Sequence, residues 1–159
     1  FFLFFNLSNS LAENKIAYLD IDYILANINA GKELLKKLKT NEEEKNNNFK
    51  TQEQKLKDEE NKIIASKSII TEDQLNLNIS EFQKKLQKYK KLKLEEVNKL
   101  KKIRSDEIIN LLNLINPIIE GYMSENSITI VIDKKNIYIA NKNSDITNNL
   151  IEIINKKIK

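Results

Sequence analysis

Cysteine and histidine are both missing from this chain of 159 residues. Without cysteine there is no disulfide framework, no thiolate metal site and no cysteine nucleophile, and the compartment cannot be read from thiols. Without histidine the commonest general base and metal ligand is gone, which weighs against an enzyme. Glycine occurs twice and proline once, too few for a loop-rich or all-β chain and in keeping with long uninterrupted helix. Arginine is nearly absent: Arg104 stands alone among 27 basic residues, against 23 acidic ones, for a net charge of +4. Bidentate recognition of phosphate or guanine favours Arg, so a basic count built from Lys does not resemble a sequence-reading nucleic-acid binder. Lys, Asn and Ile are abundant throughout, a bias that lowers the weight of any single Lys or Asn. With 31% charged residues and a mean hydropathy of −0.51, the composition is that of a soluble chain of one domain, with room for an appendage.

The first twelve residues, "FFLFFNLSNSLA", carry no charge. An apolar run from Phe1 to Leu7 followed by Ser10-Leu11-Ala12 has the form of an apolar core and small-residue cleavage site of a secretory signal. The run is shorter than the ~20 apolar residues needed to span a bilayer. Residues 1–12 are therefore expected to be a truncated export signal, cut before Glu13.

The segment "KIAYLDIDYIL" (Lys15 to Leu25) can supply one strand. From Leu35 a seven-residue ladder runs Leu35, Glu42, Phe49, Leu56, Ile63, with a companion Leu38, Lys45, Gln52, Glu59, Ser66. This is a heptad frame with a thin, interrupted apolar seam. "SKSII" (Ser66 to Ile70) breaks it, and Thr71-Glu72-Asp73-Gln74 has the form of a capping box that restarts a helix. The second helix carries Leu75, Ile79, Phe82, Leu86, Tyr89, Val97, Leu100 and Ile103, then turns richly apolar from Ile108 to Ile119. Two long antiparallel helices are expected, an arm over residues 32–107 with its tip near 66–70 and a first helix ~50 Å long. Pro117 should kink the returning helix near Ile115.

Charge supports the pairing. With the tip near residue 69, position i faces roughly position 139 − i. Residues 42–60 carry seven acids and four Lys, whereas 79–97 carry six Lys and three acids. The distal arms are thus complementary, at a modest gain per exposed pair. Nearer the arm's base the excess is positive on both helices, and Lys36, Lys37, Lys39, Lys99, Lys101, Lys102 and Arg104 form a basic band with too few acids across from it.

"ITIVIDKKNIYIA" (Ile128 to Ala140) reads as a strand hairpin, with Ile128, Ile130 and Ile132 on one face, a turn at Asp133 to Asn136, and Ile137 and Ile139 continuing the face. Asp145 or Thr147 can cap a last helix bearing Ile146, Leu150, Ile153, Ile154 and Ile158. At most three short strands result. So small an apolar sheet cannot hide its surface within one body, so several chains are expected to pool their strands. The fold class expected is α+β: a small strand body over residues 13–31 and 108–159 that pools strands in an oligomer, with a long antiparallel two-helix coiled-coil hairpin projecting from it.

These features resemble the Skp/OmpH periplasmic chaperones. The resemblance rests on "KIAYLDIDYIL", on the helical hairpin, and above all on "SITIVIDKKNIYIANKNSDITNNLIEIIN" (Ser127 to Asn155). It implies a periplasmic homotrimer whose strands form a shared body. Three hairpins would then surround a cavity that holds unfolded outer-membrane proteins without ATP or any other cofactor. Such an ATP-independent holdase would bind clients through scattered apolar side chains, here Phe49, Leu56, Ile63, Ile69, Ile70, Leu77 and Phe82, and through Lys stems. The basic band would suit acidic clients or anionic lipid headgroups. The alternative is a structural coiled-coil envelope protein that binds no client. An enzyme is disfavoured, since pairs such as Glu95-Glu96 and Asp106-Glu107 lack any Cys, His or Gly-rich loop to complete a site. A nucleic-acid partner is likewise not expected of an exported chain.

Overall fold

The computed structural model describes residues 15–158, so the expected export signal lies outside it. The elements in chain order are β1 (Lys15–Leu19), α1 (Ile21–Asn27), α2 (Asn29–Ser66), α3 (Glu72–Glu125), β2 (Ile128–Asp133) and α4 (Thr147–Lys157), with single 3₁₀ turns at Lys134–Asn136 and Lys142–Ser144. They divide into two compact units, one of residues 15–32 and 111–158, the other Glu33–Asn110. The protein is mostly helical, with two long helices and a small parallel strand pair.

In the first unit Asp20 decides where strand gives way to helix. Its carboxylate accepts from the Tyr23 N–H at 2.9 Å, satisfying a free donor in the first turn of α1. Its own N–H donates to Thr147 Oγ1 at 3.0 Å, tying that turn to the start of α4. "KIAYLDIDYIL" is therefore a strand only in its first half. Ile24 and Ile28 are then fully buried, as are Leu150 and Ile154 on α4, and α1 packs against α4. Leu111 and Ile115 from the end of α3 join this core with Ala17, Leu19, Ile128 and Ile146. Neither expected residue caps α4: its N-cap is Ile146, without a side-chain cap, while Asp145 just before it accepts from the Thr147 N–H at 3.0 Å and the Thr147 hydroxyl serves α1.

The expected strand hairpin does not form. β2 pairs with β1, in parallel, and the chain after Asp133 turns aside. Asp133 is the cause: its carboxylate accepts from the Lys135 N–H at 3.2 Å and pairs with Lys135 Nζ at 2.9 Å, winding Lys134–Asn136 into a 3₁₀ turn. Tyr138 and Ile139 are left exposed rather than continuing a face. The expected third strand at Ile137 to Ile139 is absent; a different segment makes a single bridge beside β1, Tyr18 with Asp145, in which the Ile146 N–H donates to the Tyr18 carbonyl at 2.9 Å.

Nor do Ile128, Ile130 and Ile132 share a face. Lys15 pairs with Ile128 but Ile16 pairs with Ile130, so the register slips by one residue at Thr129. Such a bulge swaps the side-chain alternation. Ile128 is buried with Ala17 and Leu19, and Val131, opposite Ala17, is half-buried. Ile130 and Ile132 instead lie with Ile16 on an open face, 47%, 36% and 51% exposed. Ser127, just before β2, takes a left-handed φ of 55°, the usual way a helix end is reversed into a strand. Helix α3 runs on through Pro117 to Glu125. The carbonyl that Pro117 leaves without a donor belongs to Asn113, and both residues are exposed, so water can take the missing partner's place.

In the second unit α2 and α3 pair antiparallel along the heptad frame. Positions Leu38, Glu42, Lys45, Phe49, Leu56, Glu59, Ile63 and Ser66 are buried or half-buried, and of the two ladders only Gln52 is exposed within that stretch. Residues 67–71 make the turn. Thr71 Oγ1 accepts a long bond from the Gln74 N–H (3.4 Å), but the Gln74 side chain donates to Asn78 instead of reaching back, so the expected capping box is only half made.

Candidate functional site

Ion pairs cross between the helices at and beside the polar positions that interrupt the seam. Glu42 pairs with Arg104 at 3.3 Å, Lys45 with Glu96 at 2.8 Å, Glu53 with Lys93 at 2.6 Å and Glu59 with Lys85 at 2.6 Å. In three of these four pairs the acid is on α2 and the base on α3, the sense that the charge difference between the arms implies. Each partner lies two to seven residues further along than 139 − i would place it. Side-chain tilt accounts for the offset. Every helical side chain leans toward the N-terminus of its own helix, so in an antiparallel pair both partners reach past their own level and the two displacements add. The short contact between Phe49 and Tyr89, rings 6.5 Å apart and edge to face, follows the expected register to within one residue.

Phe49 and Tyr89 belong to the most elaborate cluster on the arm. Both the Tyr89 hydroxyl (2.7 Å) and Lys93 Nζ (2.6 Å) donate to one Glu53 oxygen, and the Lys93 ammonium lies 5.6 Å from the Phe49 ring centre and 6.0 Å from that of Tyr89. The bond from Lys93, then that from Tyr89, holds the Glu53 carboxyl below its ordinary pKa. The same bond holds the Lys93 ammonium above its own. Burial, then the bond to Glu53, pushes the Tyr89 phenol up. Lys45 likewise lowers Glu96, and Glu59 raises Lys85. The cluster is structural in character: it satisfies charges at a thin point of the seam and offers no free nucleophile or base.

The basic band separates into two groups. Lys39 pairs with Glu43 at 3.8 Å and Lys102 with Asp106 at 3.5 Å along their own helices, and Arg104 pairs across with Glu42. Among the described residues Lys36, Lys37, Lys99 and Lys101 make no ion pair. Lys36 and Lys37 border a shallow groove floored by Leu34, Leu38 and Ile103, into which Glu33, Glu44 and Glu107 also reach. The excess of positive charge is therefore smaller than the spacing of the lysines implies, because acids outside the band stand beside them.

The apolar candidates also divide. Phe49 is buried in the seam, and Leu56, Ile63, Ile70 and Phe82 are half-buried along it or at its turn. Ile69 and Leu77 stand open at 83% and 53% exposure. Outside these candidates stand Ile64, which is 65% exposed, and Ile79, which the helical spacing counted with the seam. The Ile63-Ile64 doublet was the available signal, since only one of two adjacent residues can face a helical seam.

The OmpH family, described as "Outer membrane protein (OmpH-like)", matches residues 15–154. No curated protein matches the chain. Among solved structures, a candidate outer membrane chaperone (OmpH-like) from Caulobacter crescentus CB15 superposes with a TM-score of 0.80 at 18% identity, over 99% of this chain and 93% of that one. At that identity the likeness speaks to the fold: long paired helices with a small strand unit recur in both. The family match spans the strand pair, both long helices and α4 up to Ile154, and the chain belongs to the OmpH-like family.

Proposed function

We propose that this protein is an ATP-independent holdase of the periplasm that keeps unfolded outer-membrane proteins from aggregating. The observation that carries the reading is a helix pair whose apolar seam is thin and interrupted by charged residues. Its seam spends Glu42, Lys45 and Glu59 on ion pairs, with Glu53 paired beside it, while Ile64, Ile69 and Leu77 face solvent. Membership of a family that includes outer membrane proteins of OmpH-like type supports it. Weak apolar contacts at many points, aided by the unpaired Lys36, Lys37, Lys99 and Lys101, give a client fast exchange and no fixed geometry. No catalytic step belongs to this reading.

The working form is an oligomer, for which three chains is the expectation. Support comes from the open sheet face formed by Ile16, Ile130 and Ile132, from exposed Tyr138 and Ile139, and from the edge of β2 that faces away from β1. An uncovered apolar edge is a template for another chain. Changing Ile130→Asp places a charge in that pooled core and should yield monomers in analytical ultracentrifugation. The test of function is light scattering from an outer-membrane protein diluted out of urea, with and without this chain. A holdase suppresses the scattering at stoichiometric amounts, whereas a spacer protein leaves it unchanged.

A further inference from the structure

One face of the arm carries a groove that the ion pairs do not close. The cross-helix pairs end at Glu59–Lys85, and the seam beyond that point has no charged partners among the described residues. There the floor of the groove is formed by Ile63, Ile64, Leu75, Ile79, Phe82 and Leu86, with Glu60, Lys67 and Gln83 at its edge, around a volume of about 510 Å³. Ile64 lies one residue beyond the seam position Ile63, so it widens the apolar floor to one side only. The opposite side of the same stretch is polar, lined by Glu59, Lys62, Ser66, Asn78 and Glu81 around Ile63. Phe82, Leu86 and Glu60 are shared with a second hollow of about 560 Å³, whose floor continues to Leu56 and Tyr89 and whose rim carries Lys57, Lys90 and Lys93. The two hollows are one trough, with the broader apolar floor and balanced charge at the tip end and an excess of lysine toward Tyr89. Lys93 is engaged by Glu53, but Lys57 and Lys90 make no ion pair among the described residues.

We infer that this trough is the arm's binding site for a single extended segment of an unfolded chain, seated with its apolar side chains on the floor and an acidic group toward Lys57 and Lys90. The inference rests on the holdase reading and gives it a place and a polarity. Two observations choose the occupant. Lysines outnumber glutamates at the Tyr89 end (Lys57, Lys90 and Lys93 against Glu53 and Glu60) and only balance them at the tip end (Lys67 against Glu60), which matches a segment that is apolar with an acidic flank, not a uniformly anionic surface. A second copy of the arm is disfavoured by size. The open side chains Ile64 and Ile79 leave only roughly 200 Å² to cover, about a quarter of the ~800 Å² per partner of a stable interface. A patch of that extent suits a transient contact with a short segment, repeated on each arm of an oligomer.

The experiment uses the full chain and a fluorescein-labelled peptide of alternating Leu/Val and Ser with two Asp at one end, read by anisotropy. The double variant Ile64→Ser/Ile79→Ser removes floor side chains that are already partly exposed, so the fold is retained, as far-UV circular dichroism should verify. Leu94→Ser/Ile109→Ser removes two comparably exposed apolar residues from outside the trough. The expected result is a loss of peptide affinity of about tenfold in the floor variant, little change in the control, and a smaller loss in Lys57→Gln/Lys90→Gln that vanishes when the peptide's Asp are replaced by Ser. Unchanged peptide binding by the floor variant, in a protein that still suppresses client scattering, overturns the trough and leaves the holdase standing. Equal losses in floor and control variants overturn it too, since binding is then unlocalised. If the unmodified chain neither binds peptide nor suppresses scattering, the holdase reading fails and the trough with it. Ile64- and Ile79-dependent binding to phosphatidylglycerol vesicles, without peptide binding, replaces the segment by a lipid surface.

Discussion

Adding one methyl group at each of the two glycines should move stability in opposite directions. A Cβ at Gly31 would sit 1.8 Å from the Leu25 carbonyl oxygen, 2.8 Å from its carbon and 3.0 Å from Ile28 Cγ1. Ordinary contact begins near 3.4 Å, so a backbone carbonyl in α1 would have to retreat by about 1.6 Å. That carbonyl cannot swing aside as a side chain can, because α1 is anchored by the Asp20 cap and by buried Ile24 and Ile28. Gly31 is thus required for the close approach of α2 to α1. Overpacking of this kind costs about 3 kcal/mol, from which the better helix propensity of Ala recovers ~1, leaving a net loss of ~2 kcal/mol for Gly31→Ala. At Gly121 a Cβ meets nothing within 4 Å, so Gly121→Ala keeps only the propensity gain of ~0.5–1 kcal/mol. The assay is thermal unfolding at one fixed protein concentration, because association shifts the midpoint. A chain of this length should lose about 4–8 °C in the first variant and gain about 1–4 °C in the second. If Gly31→Ala melts no lower than the unmodified protein, the contact between α1 and the start of α2 is not as described.

Further outcomes follow from the arm. Phe49→Ala should empty the main apolar contact of the seam, costing ~2–3 kcal/mol locally, and hydrogen exchange should accelerate in residues 42–60 and 85–100 with no change in β1 and β2. Glu53 and Glu96 titrate below their ordinary 4.5, so their contribution is complete above that pH and fades as pH falls through the lowered folded values. Lys85 and Lys93 titrate above 10.5, so theirs is complete below that pH and fades as pH rises past it. Spin-label distances across the helix pair should therefore stay narrow between about pH 5 and pH 10 and broaden outside that window; a distribution indifferent to pH would remove the pairs from any role in arm closure. Replacing Lys36, Lys37, Lys99 and Lys101 by Gln should weaken binding of an acidic client at low salt and flatten its salt dependence, with helix content unchanged, and coincident salt curves would reduce the band to solvated surface.

The helices were legible because heptad spacing is a local property of the chain. The ladder from Leu35 to Ile63 and its polar companion face α3 as their spacing requires, and the turn falls at residues 67–71, where the pattern breaks. The strands were less so. A parallel pairing between Lys15–Leu19 and Ile128–Asp133 joins segments more than a hundred residues apart, and nothing in "ITIVIDKKNIYIA" announces a distant partner. The local signal, alternation followed by turn residues, favours a hairpin, but Asp133 uses its carboxylate to wind the turn and deny the second strand. The bulge at Thr129 is similarly silent, since it is imposed by register against β1 and shows only as exposure of Ile130 and Ile132 in place of Val131.

The candidate site was legible in kind but not in detail, and the reason bears on how such an arm works. A seam of leucines would close tightly and leave few apolar side chains uncovered. Here charged residues occupy the seam positions near the middle of the arm, and each exposed pair contributes little to stability. Register is then marked by four cross-helix ion pairs and the Phe49–Tyr89 contact. The apolar side chains thus left over gather in two ways. Some, such as Phe49 and Tyr89, lock one point of the pair; others, such as Ile64, Ile69 and Leu77, stay uncovered. Periodicity counts both groups alike as apolar positions. Only the pairing of the two helices tells which side chains are satisfied within the protein and which still await a partner.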